Sequence, residues 1–193
     1  MYVSKDLALI LKEKGFNYIT CTQVYDNGKL RQSLQIFNRD GFELAPVEQQ
    51  VIDWIFNYID NIVKQINFNH SQKEYLIKQQ KIEWLQFWYT TLLEHKFSLM
   101  HEFIGRLEEW FESNGLFLDI KPTRVTVESG YITQYRVVIF DYRKNKSKLL
   151  YYDECNWHTF EDGDSDILET KQQAKHEAIL KCFELLKSDK DEE

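Results

Sequence analysis

The chain has 193 residues, 43% of them apolar and 15% aromatic, which is enough for one domain or two small ones with packed cores. Its formal charge of -7 is one-sided, with 11 basic against 11 acidic residues up to Phe97 and 13 against 20 from Ser98 onward. An acidic C-terminal half repels polyanions on average, so protein ranks above nucleic acid as the expected partner.

Two prolines and seven glycines leave little room for long structureless linkers. Cys21, Cys155 and Cys182 are odd in number, widely spaced and without a Cys-x-x-Cys pair, so reduced thiols are expected rather than a disulfide framework. No unbroken apolar run approaches the length of a bilayer span, and the N-terminus lacks the basic-then-apolar pattern of a secretory signal. A cytoplasmic protein with no membrane association is expected.

Taken in order, Ser4 caps a short helix with Leu7, Ile10 and Leu11 on one face, which stops at Gly15. The β-prone runs 18–25 and 29–37 flank Asp26-Asn27-Gly28, and Asn-Gly between such runs predicts a hairpin because both turn residues tolerate positive φ. Pro46 in Phe42-Glu-Leu-Ala-Pro46 suits the first turn of the next helix, whose stripe is Val47, Val51, Ile55, Tyr58, Ile62 and Ile66. Ser71 then caps a helix running to about Lys96, with Tyr75, Ile82, Leu85, Tyr89 and Leu92 as its stripe. Trp84, Phe87, Trp88 and Leu93 widen that stripe, so the helix packs on two sides. A central helix between two lobes is the preferred reading, and a homodimer seam through 72–96 is the alternative.

Met100, Phe103, Ile104, Leu107, Trp110 and Phe111 predict a helix over 99–114 that ends at Asn114-Gly115. Leu116, Leu118 and Ile120 alternate with Phe117, Asp119 and Lys121; Pro122 predicts a kink before the run 124–128, and Ser129-Gly130 a turn. The run 131–142 is apolar on both faces, Tyr135, Val137 and Ile139 on one and Val138, Phe140 and Tyr142 on the other, as in the middle strand of a covered sheet. The turn 143–148 leads to a third strand, 149–153. Thr170 and Gln173 form a capping box for a final helix with Ala174, Ala178, Cys182 and Leu185 on its inner face, Ile179 and Leu186 beside them. The fold class is therefore α+β: a helix, β-hairpin and helix over 1–70, a connecting helix over 71–97, and a C-terminal α-β-β-β-α module with an antiparallel sheet over 98–193.

Val3 to Phe16, with Leu-Lys-Glu-Lys-Gly-Phe at 11–16, and Leu44-Ala45-Pro46 followed by Val51-Ile52-Asp53-Trp54 resemble the N-terminal half of small uncharacterised proteins common in gut-bacterial prophages and phages. The stretches 107–116 and 171–186 are similar to the C-terminal half of that family, and the resemblance covers about two thirds of the chain. The helical insertion over 57–100 departs from the family's pattern. The resemblance implies a source and a fold, and brings no catalytic residues. The helix, three strands, helix order also resembles the double-stranded-RNA-binding fold, in which lysines opening the last helix grip phosphates. Lys171 and Lys175 fall on one face as that would require. The chain has no Gly-Pro-x-His loop, and Glu161, Asp162, Asp164, Asp166 and Glu169 precede the helix.

Signals for chemistry are incomplete. Asp162-Gly-Asp164-Ser-Asp166 has the alternating carboxylates of a calcium loop, but Ile167 stands at the sixth position and Gln173 at the twelfth, so a solvated acidic loop is expected. Cys155 and His158 make half a zinc site without a second half, and His95 with His101 is no better. Asp119-Ile-Lys121 after Glu108 and Glu109 has the look of an Asp/Glu-x-Lys nuclease core, yet the carboxylate expected on a preceding strand is missing. His176 and Cys182 read as a surface histidine and a small buried apolar residue rather than a nucleophilic pair.

No catalytic residue, cofactor or metal ligand is expected. The expected function is that of a non-enzymatic phage or prophage accessory protein that binds another protein, of host or phage, with Val138, Phe140 and Tyr142 as the candidate surface. The alternative is duplex RNA or DNA binding through Arg143, Lys144, Lys146, Lys148, Lys171 and Lys175.

Overall fold

The computed structural model describes residues 1–16, 23–26, 29–32, 42–44, 46–65, 70–127, 130–143 and 171–188. Helices and antiparallel strands are both present, so the fold is α+β. The chain divides into two units, Met1–Ile104 and Gly105–Glu193.

The first unit begins with α1 (Lys5–Glu13). Ser4 is extended and its hydroxyl accepts from the Leu7 N–H at 3.3 Å, while Asp6 in the first turn and Lys12 in the last complement the helix dipole. The far end closes on Gly15 at φ 90°, with the Phe16 N–H donating to the Leu11 carbonyl at 2.9 Å and the Gly15 N–H to that of Lys12 at 3.0 Å. This pairing satisfies carbonyls that a helix end otherwise leaves open, and Leu11 and Phe16 are both buried beside it.

The expected hairpin forms from β1 (Gln23–Asp26) and β2 (Lys29–Gln32), with Asp26 opposite Lys29. Its Asn27-Gly28 turn lies outside the described residues. A third strand not expected from the sequence, β3 (Phe42–Leu44), pairs antiparallel on the other edge of β1, giving the order β2-β1-β3. Pro46 does not sit in the first turn of α2 (Glu48–Gln65) but ahead of it, where its carbonyl accepts from the Val3 N–H at 3.1 Å. Gln50 reaches back to the Val47 N–H at 3.1 Å, the half of a capping box that a glutamine at the third helical position supplies. The Glu48 N–H donates to the Met1 carbonyl at 3.0 Å, so the chain's first residues pair with the entry to α2.

The next helix, α3 (His70–Glu94), contains Ser71 within it rather than being capped by it. Ile82, Leu85, Trp88, Tyr89 and Leu92 are buried at the expected spacing, and Val51, Ile52 and Ile55 are buried on α2. Trp54 lies edge-on to Phe16, Trp84 and Trp88 with centroids 5.2, 5.6 and 5.6 Å away, and Tyr58 stacks on Trp84 at 4.6 Å. The Trp84 Nε1–H donates to the Ile55 carbonyl at 3.2 Å, so the half-buried indole keeps its hydrogen bond. α3 ends as α1 does, with Phe97 N–H on Leu92 and Lys96 N–H on Leu93, yet the residue at positive φ is Lys96, at 50°.

Directly after it, Glu48 does what no local pattern suggests. It is 3% exposed, and its carboxylate accepts from the Ser98 N–H at 3.3 Å, the Leu99 N–H at 3.2 Å and the Ser98 hydroxyl. Those amides lead into α4 (Met100–Ser113), so a residue in the first turn of α2 caps the start of another helix, where a negative charge also meets the positive end of the dipole.

In the second unit the end of α4 closes on Gly115 at φ 83°, its N–H on the Glu112 carbonyl at 2.9 Å. A Cβ at Gly115 would lie 2.9 Å from the Arg143 Cγ. Both the backbone and the space therefore demand glycine here, whereas Lys96 holds a left-handed conformation that glycine would take more readily. Gly115→Ala is expected to destabilise by about 1–2 kcal/mol, and Lys96→Gly to be neutral or to stabilise by up to about 1 kcal/mol. Chemical denaturation of the two variants beside the parent checks the opposite signs.

Two long strands follow, β4 (Leu116–Val127) and β5 (Gly130–Asp141), antiparallel in unbroken register from Leu116 opposite Asp141 to Val127 opposite Gly130. The expected break at Pro122 is not there. Proline sits opposite Tyr135 within the ladder, as it can where its nitrogen points away from the partner strand. Gly130 pairs with Val127, so it belongs to β5 rather than to the expected Ser129-Gly130 turn, and residues 128–129 lie outside the described residues. The expected third strand, 149–153, lies outside the described residues.

The last helix, α5 (Lys171–Lys187), packs on β5 and β4 through Ala174, Ala178, Ile179, Cys182, Phe183 and Leu186, all buried. The two alanines let the helix backbone approach the sheet, and Phe183 meets Phe111 edge-on at 5.1 Å. Burial pushes the Cys182 thiol up to about 12, so it stays protonated at neutral pH and behaves as the small apolar residue its position suggests. Thr170, the expected cap, lies outside the described residues.

Candidate functional site

Register decides which side chains share a face of the β4–β5 pair. Leu116, Leu118 and Ile120 stand opposite Asp141, Ile139 and Val137, and Val137, Ile139 and Leu116 are buried. On the other face Phe117 stands opposite Phe140 and Asp119 opposite Val138, with Tyr142 two residues beyond Phe140.

That second face carries a row of three aromatic rings. Phe117 and Phe140 have centroids 5.8 Å apart, and Phe140 and Tyr142 are 6.4 Å apart with planes inclined by 13°. Phe117 is 42% exposed and Tyr142 44%, with Phe140 half-buried between them, whereas Val138 is only 1% exposed. The candidate surface is therefore shifted toward the strand ends: Phe140 and Tyr142 belong to it, Val138 is buried, and Phe117 joins it. Phe117 was legible as an alternating residue, but only the register places it beside Phe140. Large rings at the surface carry much contact area at low entropic cost, which is why aromatic residues are enriched where proteins bind one another.

The candidate basic residues are used differently. Arg143 donates through Nε to Asp141 Oδ1 at 2.9 Å, pairs through Nη2 with Oδ2, and donates through Nη1 to the Leu185 carbonyl at 2.9 Å, with its side chain 13% exposed. It clamps the end of β5 to the C-terminal turn of α5, where a cation also meets the negative end of the helix dipole. Lys175 pairs with Glu108 on α4 at 2.8 Å. Lys171 is exposed at the start of α5. Lys144, Lys146 and Lys148 lie outside the described residues. The structure thus places Arg143 and Lys175 against carboxylates of the same fold.

The remaining chemical signals resolve in the same way. Asp119 pairs with Lys121 on its own strand at 3.2 Å, and Glu108 belongs to Lys175, so the Asp-x-Lys residues are not gathered with the α4 carboxylates. Among the described residues no three His, Cys, Asp or Glu side chains are placed to hold a metal ion. The acidic run 161–169 and Cys155 with His158 lie outside the described residues. Also among the described residues, no helix is long and apolar enough to cross a membrane. In the first unit Phe87 and Leu93 of α3 are each 38% exposed, and Lys14 Nζ lies 4.6 Å from the Phe87 ring centroid, a cation over an aromatic face.

No protein-family model matches the chain, and neither a curated protein nor a solved structure matches it.

Proposed function

We propose that this chain is a non-enzymatic accessory protein of phage or prophage origin that acts in the cytoplasm by binding another protein through the row Phe117, Phe140 and Tyr142. The observation that carries this reading is the exposure of Phe117 and Tyr142 on either side of the half-buried Phe140, on a sheet face whose opposite side is packed by α5. An exposed cluster of large rings is costly to keep in water and is the usual composition of a docking surface. The source follows from the resemblance of 3–16, 44–54, 107–116 and 171–186 to the phage and prophage family.

The finer architecture belongs to the same proposal. The second unit is an α-β-β-β-α module with an antiparallel sheet. Pro122 in β4 leaves the outer edge of β4 short of a donor and blunts it against strand addition there.

Duplex nucleic-acid binding through Lys171, Lys175 and the turn 143–148 is the second reading. The engagement of Arg143 and Lys175 with Asp141 and Glu108 favours protein over phosphate as the partner. Gel shifts with duplex RNA and duplex DNA over a salt series test the choice. The proposal expects no retarded band at physiological salt. A salt-sensitive band that Lys171→Glu removes would transfer the function to nucleic acid.

A further inference from the structure

We draw no further inference here: the strongest candidate, the patch of α3 around the exposed Phe87 and Leu93, carries nothing because nothing in the structure shows what covers it.

Discussion

Glu48→Ala is expected to destabilise the protein by about 2–4 kcal/mol, since two amides and a hydroxyl lose a charged acceptor at once. The carboxylate is 3% exposed, so water does not replace it freely, and the start of α4 loses both its cap and the charge opposite its dipole. For a chain of this length that is a fall in Tm of about 5–15 °C. Glu48→Gln, which keeps one oxygen acceptor in the same place, should lose less than Glu48→Ala. Thermal melts of the two variants separate a capping role from a packing role. Equal losses would mean that the side chain's bulk matters and its oxygens do not, and no loss in either would mean that the cap is not formed in solution.

Arg143→Ala is expected to cost about 2–4 kcal/mol, because a 13% exposed guanidinium is withdrawn from a 5% exposed carboxylate and from the last turn of α5. The asymmetry of buried pairs supplies the sharper test. Removing one partner leaves the other charge buried, whereas replacing both with uncharged residues of similar size removes the desolvation cost along with the attraction. The double variant Asp141→Asn/Arg143→Met should therefore be more stable than Arg143→Ala alone, and the cycle should show coupling well above the few tenths of a kcal/mol seen for separate sites. Additive losses in urea denaturation would show that the two side chains do not act as a pair.

Much of the fold was legible because burial repeats with the helical or strand period. Leu7 and Leu11, Val51 and Ile55, Ile82 to Leu92 and Ala174 to Cys182 are buried where their spacing put them. Among the described residues glycine marked two of the three helix ends that close through a left-handed residue, while Lys96 gave no local sign of the third. β3 escaped because three residues are too few to show alternation. Pro122 was misleading: its missing donor matters only on the side facing a partner strand, and a sequence does not say which side that is. The site divides in the same manner. Phe140 and Tyr142 are visible from alternation along one strand, but Phe117 requires the register of a second. Arg143 looks like one more cation in the run 143–148, and only the fold brings Asp141 and the Leu185 carbonyl around it. Glu48 acts on amides fifty residues away, beyond the reach of any local signal.

The most direct test of the aromatic face is a comparison of the full chain with its Phe117→Asp/Tyr142→Asp variant, both immobilised and exposed to lysate of the producing host, with retained proteins identified by mass spectrometry and melts recorded in parallel. Both side chains are more than two-fifths exposed, so the variant should melt within about 2–4 °C of the parent, corresponding to about 1 kcal/mol. A specific protein should be retained by the parent and lost by the variant, since charge on both sides of Phe140 opposes burial of the docking surface. A variant that folds and still retains the same protein would contradict this expectation.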